Sequence, residues 1–264
     1  MERNITKMAT EKLSKEMIEA LNLFRNAKEI FVLMSDFTRM PLVECDEKTY
    51  DDEVFIYFDE EDAKYGASQR IEKGEKVHVV KFIDRFLLPF YTSLYPMGVN
   101  CIVADRGFES EVAVQLEDLV VRNKEAAEKE GKVIIENPEF HLTALYFMQK
   151  LRALKEPVMT ESLLELNDEM MAHYMKGRYI IAVAEDKTLP VLKQKDGKVM
   201  HPIFTDMQEF LKFQSFSKDE TLKTAVVDAA KIPEITMKEA FGLAVNPFGV
   251  NVVLQLPKKE TANE

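Results

Sequence analysis

The stretch Asn246-Pro247-Phe248-Gly249-Val250-Asn251-Val252-Val253-Leu254 reads as a Pro/Gly turn that leads into a short apolar strand. An upstream stretch, Tyr95-Pro96-Met97-Gly98-Val99-Asn100-Cys101-Ile102-Val103, repeats this pattern. Both stretches contain Pro-x-Gly-Val-Asn followed by an apolar run, and Gly249 lies 151 residues after Gly98 (249 − 98). The repetition predicts that the chain contains a duplicated domain.

Helix and strand patterns around these two stretches occur twice in the same order, α-β-β-β-α-β-α-β. Within the second copy, the pattern predicts a helix from Met237 to Ala244, capped by Thr236, and a last strand from Gly249 to Leu256. Four pairs of residues keep their order at separations of about 150 residues: Pro41 with Pro190, Asp36 with Asp186, Asp59 with Asp206, and Gly98 with Gly249.

The predicted domain organisation has three parts, which are a first copy at 1–107, a helical connector at 108–158 and a second copy at 159–264. Helical periodicity is expected at residues 5–28, from Glu111 to Lys129, and from Pro138 to about Lys155. The sequence therefore predicts an α+β protein built from two duplicated domains. Each domain is a mixed, roughly five-stranded sheet with packed helices, and a helical middle segment joins them.

Composition disfavours several classes of protein. The formal net charge is −11, and no basic stripe is present, so we expect no nucleic-acid partner. No run of about 18 apolar residues occurs, which predicts no membrane span, and the charged first segment lacks the apolar core of a secretory signal. No dinucleotide or P-loop pattern is present, so no cofactor is expected. The two cysteines, Cys45 and Cys101, are typical of a reduced, cytoplasmic protein.

The densest acidic region runs from Glu44 to Asp62 and supplies the candidates for a metal site. Hard cations require several oxygen ligands that converge, but the spacing here does not fit an EF-hand loop. A solvated loop followed by a helix N-terminus explains the same residues. The metal candidates are Asp51, Asp52, Glu53 and Asp59.

The polar residues of the repeated stretches are the candidates for a ligand site or for a structural role. Asn100 and Asn251 each interrupt an apolar run, and a buried Asn must be hydrogen-bonded. Asn246 precedes a proline and favours a turn start. Gly249 is expected to adopt a positive φ, and Gly98 is its counterpart in the first copy.

Three stretches of the second copy resemble the C-terminal part of the bacterial SseB family: Pro202–Asp206, Met237–Ala244 and Asn246–Asn251. The first copy, residues 29–105, looks like a more divergent SseB domain, with Tyr95-Pro96 in place of Asn246-Pro247. The resemblance implies a bacterial, cytoplasmic and non-catalytic protein. It supplies no catalytic residues.

Three functions are compatible with the sequence. The first is a non-enzymatic protein that binds a protein or peptide partner, or forms a homo-oligomer, through an exposed patch rich in Met or Phe. The second is a metal-assisted hydrolase, which requires the carboxylates of residues 44–62 to converge. The third is a small-molecule sensor with a cavity between the two copies, near Asn100 and Asn251, that holds unpaired polar groups.

Overall fold

The computed structural model describes residues 15–122, 131, 133–156, 158–217, 221–237 and 239–256. Its strands are β1 (Glu29–Ser35), β2 (Met40–Pro41), β3 (Val43–Cys45), β4 (Asp52–Tyr57), β5 (Val77–Ile83), β6 (Cys101–Ala104), β7 (Val112–Gln115), β8 (Arg178–Val183), β9 (Leu192–Lys193), β10 (Val199–Phe204), β11 (Lys223–Asp228), β12 (Gly242–Val245) and β13 (Val252–Gln255). Its helices are α1 (Lys15–Asn26), α2 (Glu60–Glu72), α3 (Leu87–Leu94), α4 (Leu116–Leu119), α5 (Pro138–Ala153), α6 (Glu161–Lys176), α7 (Met207–Phe216) and α8 (Ile232–Ile235).

Local sequence explains where the longer helices begin. Asp59 and Asp206 are the N-caps of α2 and α7, and each carboxylate accepts the backbone N–H groups of the second and third residues that follow. Such a cap stabilises a helix by about 1 kcal/mol. Thr160 caps α6 in a similar way, and Pro138 occupies the first turn of α5, where a missing N–H costs no hydrogen bond. No described helix has the length and apolar character needed to cross a bilayer.

The strand order shows that the chain contains two similar units. In the first sheet, β5, β1, β4, β6 and β7 lie side by side, with β2 added to β1 and β3 added to β4. In the second sheet, β11, β8, β10, β12 and β13 lie side by side, with β9 added to β10. In both sheets only the third and fourth strands of this order are parallel. The predicted fold class, two mixed sheets with packed helices, is therefore confirmed.

The pairing register identifies equivalent residues in the two units. Ile56 of β4 lies opposite Ala104 of β6, and Ile203 of β10 lies opposite Val245 of β12. Asp59 and Asp206 follow these strands at the same distance and cap the equivalent helices α2 and α7. This pair of aspartates, which the sequence had suggested, is a true structural equivalence.

Among the described residues, three apolar clusters arrange the molecule in layers. One lies between the first sheet and α2, and another between the second sheet and α7. The largest joins the opposite face of each sheet to side chains of α5 and α6, such as Ala144 and Met170, so these two helices lie in a core shared by both sheets. Because β1, β4, β8 and β10 are covered on both faces, they appear in sequence as nearly continuous apolar runs.

The structure corrects the pairing of the two Pro-x-Gly-Val-Asn stretches. Asn100 directly precedes β6, whereas Asn251 directly precedes β13, which is the next strand along the sheet. The pairing of Gly98 with Gly249 is therefore wrong, although the duplication that it suggested is present. The equivalent of β6 is β12, formed by Gly242–Val245, and the helix predicted from Met237 to Ala244 is wrong over these residues. All four residues of β12 are buried, so its apolar run carries no alternation that would distinguish strand from helix.

The predicted helix from Glu111 to Lys129 is wrong in its first part. Val112–Gln115 form β7, which pairs antiparallel with β6, and only the single turn α4 follows. The segment predicted as a helical connector thus supplies a strand of the first sheet. Residues 123–130 lie outside the described residues, as do residues 5–14 of the predicted N-terminal helix.

Candidate functional site

A cavity of about 330 Å³ lies between the first unit (residues 15–115) and the second unit (residues 161–255), with α5 at its base. We call it the inter-unit cavity. Its apolar wall comes from the first unit: Met34, Met40, Phe82, Phe86, Phe90 and Met97. Its polar floor comes from α5 and the start of α7: His141, Asp206, Glu209 and Lys212. The volume falls at the lower end of the range for small-ligand sites, about 300–1,000 Å³.

The apolar wall combines aromatic rings with methionine side chains. The rings of Phe82 and Phe90 have centroids 4.7 Å apart, and Phe90 is buried. Met40 and Met97 are also buried, whereas Phe86 is 46% exposed and lies at the mouth of the cavity. Methionine side chains adapt to ligands of different shape and aromatic rings offer large apolar contact areas, which suits a binding surface.

Thr205 is held in place by hydrogen bonds beneath the polar floor. Its backbone N–H donates to Asn246 Oδ1 at 3.0 Å, and Asn246 Nδ2 donates to Thr205 Oγ1 at 2.8 Å. Thr205 Oγ1 in turn donates to Asp206 Oδ2 at 2.7 Å, and Asn137 Nδ2 donates to the Thr205 carbonyl at 2.8 Å. The loop that leads into α7 is therefore fixed by buried polar contacts.

Glu209 brings a buried carboxylate to the floor. Its side chain is 3% exposed, and Oε1 pairs with Lys212 Nζ at 2.5 Å. Oε2 is buried and has no hydrogen-bond partner among the described residues. Gly249 lies against this carboxylate, since a Cβ atom at position 249 would stand 2.5 Å from Glu209 Oε2.

His141 lies beside the two carboxylates and is 1% exposed. Its Nδ1 is 3.4 Å from Thr205 Oγ1 and 3.8 Å from Asp206 Oδ2. Burial lowers the pKa of His141, against the opposing effect of Glu209 and Asp206. The ring is therefore neutral near pH 7.

The second repeated stretch contributes to this site, although not in the predicted way. Asn246, which is fully buried, supports the floor through Thr205. Gly249 does not have a positive φ, which is a correction, and the left-handed positions are Asn246 (φ 48°) and Asn251 (φ 52°). Asn251 is exposed, and its carbonyl accepts a hydrogen bond from Arg152. Glycine is needed at 249 because Glu209 occupies the space next to it.

In the first repeated stretch Pro96 and Met97 line the cavity, whereas Gly98 and Asn100 lie outside it and have a structural role. Asn100 is exposed, and its Oδ1 accepts the backbone N–H of Asp52 at 2.7 Å. Gly98 has a φ of 84°, and a Cβ atom there would lie 2.7 Å from the carbonyl oxygen of Pro138. These residues hold the start of β4 and the first turn of α5, and neither lines the inter-unit cavity.

Asp51 and Asp52, two of the metal candidates, act as hydrogen-bond acceptors. Asp51 accepts from Asn100 Nδ2 at 2.8 Å and from Gln115 Nε2 at 3.1 Å. Asp52 Oδ1 accepts the hydroxyl of Tyr146 at 2.6 Å, and burial raises the pKa of Asp52.

The other two metal candidates have different partners. Glu53 pairs with Arg106, although burial raises the pKa of Glu53, and Asp59 caps α2. Across the described part of the chain, no group of three or more His, Cys, Asp or Glu side chains is placed to hold a metal ion. The structure thus does not bring the predicted metal ligands together.

Sequence reasoning missed the residues that give the cavity its chemistry. His141 lies among apolar residues of α5, and Glu209 lies next to Phe210 in α7. A titratable residue within the apolar stripe of a helix signals a buried polar group. This signal was present, but nothing in the sequence showed that the two side chains face one cavity.

Two solved structures show a weak likeness to this chain. Tic22 from Plasmodium falciparum shares 10% identity, with 80% of this chain and 84% of that chain covered, and a TM-score of 0.21. Anabaena Tic22 (protein transport) shares 10% identity, with 81% and 83% covered, and the same TM-score of 0.21. Likeness at this level contributes nothing to an argument about fold or function. A search of curated protein sequences found no match.

A comparison with protein families gave a specific result. Residues 159–260 match the family described as the SseB protein N-terminal domain. The match includes the stretches that resembled SseB in the sequence, but it assigns them to the N-terminal domain of that family rather than to its C-terminal part. The second unit also contains α7, whose first turn forms the floor of the inter-unit cavity. Residues 159–260, which include the second unit, are therefore similar to the SseB protein N-terminal domain.

Proposed function

We propose that this chain is a non-catalytic binding protein that takes an organic group into the inter-unit cavity. The group belongs either to a peptide of a partner protein or to a small molecule. The observation that supports this function is the composition of the cavity, with an apolar wall from the first unit and a polar floor from α5 and the start of α7. Cavities of this kind, with few polar groups in a mostly apolar lining, are typical of ligand sites.

The cavity has features expected of two of the functions derived from the sequence. A partner-binding protein was expected to display a surface rich in Met and Phe, and these residues line the wall and the mouth. A sensor was expected to have a cavity between the copies with unpaired polar groups, and Glu209 Oε2 is such a group. No observation favours the metal-assisted hydrolase. A bacterial and cytoplasmic setting and a homo-oligomeric state stay predictions.

Ligand-observed NMR with a chemically diverse set of small organic fragments tests the proposal. Ser93 lines the cavity, so Ser93→Phe should fill it and remove the signals of fragments that bind there. Thr92→Phe, at the neighbouring position of α3 that does not line the cavity, is the matched control and should keep them. The proposal fails if no fragment binds the natural chain, or if Ser93→Phe leaves every fragment bound.

A further inference from the structure

The charge and polarity of the inter-unit cavity favour one class of ligand, and this inference rests on the proposed function. We propose that the cavity binds a protonated amine on a short apolar stem. The ammonium group would lie at Glu209, and the stem would lie against the Phe and Met side chains of the first unit.

The first argument is the unpaired oxygen of Glu209. This carboxylate is almost fully buried, and Lys212 satisfies only Oε1. Leaving a buried acceptor without a partner is unfavourable, and more so when the acceptor is charged. An ammonium group in the cavity that reaches this carboxylate would supply the missing hydrogen bond, and the charge of the acceptor would strengthen that bond.

The second argument is the arrangement of charge around the cavity. The two buried charged residues of its lining, Asp206 and Glu209, are both acidic. The positive side chains of the lining are closer to solvent, since Lys212 is 40% exposed and Arg39 is exposed. A carboxylate ligand would be repelled by the buried acids, and a neutral ligand could offer Glu209 only an uncharged donor, which makes a weaker hydrogen bond than an ammonium group.

The third argument is the aromatic wall. The face of a phenyl ring attracts a cation, and the attraction increases when both groups are removed from water. Phe82, Phe86 and Phe90 surround the space above the polar floor, with methionine sulfur atoms nearby. An apolar stem would displace water from this wall, and the removal of its apolar surface from water would favour binding.

Calorimetric titration of the natural chain with three probes of similar shape tests the ligand class. The probes are phenethylamine, 2-phenylethanol and 3-phenylpropionate, which are cationic, neutral and anionic at pH 7. We expect the amine to bind at least 10-fold more tightly than the alcohol and the carboxylate to bind least. Equal or tighter binding of the alcohol or the carboxylate would overturn the inference.

Two substitutions with opposite expected effects show whether Glu209 is responsible. Glu209→Gln removes the charge and should weaken amine binding about 10-fold, with little effect on the alcohol. Lys212→Met removes the cation that competes for Glu209 and should strengthen amine binding. Because loss of folding cannot strengthen binding, the second variant keeps the test valid if the first is unstable. The control Glu165→Gln, at an exposed position of α6 outside the cavity lining, should bind as the natural chain does. The inference is wrong if neither Glu209→Gln nor Lys212→Met changes amine affinity.

The amine could be a free molecule or the side chain of a lysine in a partner peptide. A capped peptide with one lysine between glycines, compared with its norleucine counterpart, distinguishes these sources. Binding of phenethylamine alone indicates a free amine, and preference for the lysine peptide indicates a protein partner; both support the ligand class. If other fragments bind and are displaced by Ser93→Phe, but no amine binds, the ligand class is wrong while the proposed function stands.

Discussion

Asp105 and Asn246 occupy the same position in the two units and make the same contact. Each follows the parallel strand of its sheet and has a left-handed backbone, with φ values of 52° and 48°. Oδ1 of Asp105 accepts the N–H of Phe58 at 3.1 Å, and Oδ1 of Asn246 accepts the N–H of Thr205 at 3.0 Å. Asp and Asn are the side chains that tolerate this backbone best after glycine. The contact fastens the start of the helix to the end of the parallel strand in both units.

Replacement of Asn246 should be costly because two effects add. Asn246→Ala removes both hydrogen bonds to Thr205 and places an alanine at a positive φ. We expect a loss of about 3 kcal/mol in the free energy of unfolding, measured in urea. Asn246→Gly relieves the backbone strain and should recover about 1 kcal/mol of that loss. Equal stability of the two variants would show that the left-handed backbone contributes nothing.

Gly98→Ala should destabilise the protein through a clash that no single side chain can relieve. The added methyl group would meet the carbonyl of Pro138 at 2.7 Å and the Cβ of Leu142 at 2.8 Å, at a φ of 84°. We expect a cost of about 2–4 kcal/mol, since α5 would have to move. A melting temperature within 2–3 °C of the natural protein (a change of about 1 kcal/mol) would contradict this.

Gly249→Ala should instead be rescued by a second substitution. The three atoms nearest to its methyl group would all belong to the Glu209 carboxylate, which is the end of a side chain. Glu209→Ala removes that carboxylate, so the double variant should be more stable than the two separate costs predict. We expect a coupling energy of at least about 1 kcal/mol from the double-mutant cycle. If the free-energy costs of the two single substitutions add, the Glu209 side chain moves away from the added methyl group without cost.

Arg152 should contribute to the attachment of the two units to α5. Its guanidinium donates to the carbonyl of Phe37 in the first unit and to the carbonyl of Asn251 in the second, at 2.8 Å for the latter. Arg152→Met should lower the free energy of unfolding by about 2 kcal/mol and speed amide exchange near Asn251. The control Lys150→Met, at an exposed position of the same helix, should have little effect. Similar effects of both variants would argue against the bridge.

Acid should destabilise the protein through its buried histidines. Burial lowers the pKa of His141 and of His201 below 6.5, so the unfolded chain takes up protons that the folded chain does not. The contribution of the two histidines to the free energy of unfolding is therefore fully present above about pH 6.5. It falls as the pH decreases towards the pKa values of the folded state. The slope reaches about 1.4 kcal/mol per pH unit for each histidine.

Denaturation in urea between pH 7 and pH 5 measures this slope. His141→Gln should remove up to one proton from the difference in proton uptake between the unfolded and folded chains, and so lower the slope. The double variant with His201→Gln should lower the slope further. An unchanged slope in His141→Gln would show that this ring takes up a proton without unfolding.

Several elements were predictable because their signals are local. The helix start at the acidic run that begins at Asp59 and the start of α5 at Pro138 depend only on neighbouring residues, and the structure has both. The buried strands β1 and β8 also stand out, as apolar runs of strand length. The duplication followed from the repeated order of such signals. The repeated Pro-x-Gly-Val-Asn stretch led to the correct conclusion, although its two copies are not equivalent.

The sequence alone thus determined the two-unit α+β architecture and the family resemblance of the second unit. It could not assign β12, because a short run that is buried on both faces has no periodicity. Only the tertiary structure decided the candidate site, since its wall, base and floor come from residues 34–97, His141 and residues 206–212. These segments meet when both sheets pack around α5. Glu209 Oε2 lacks a hydrogen-bond partner because of that packing, and for this reason no local sequence pattern predicted it.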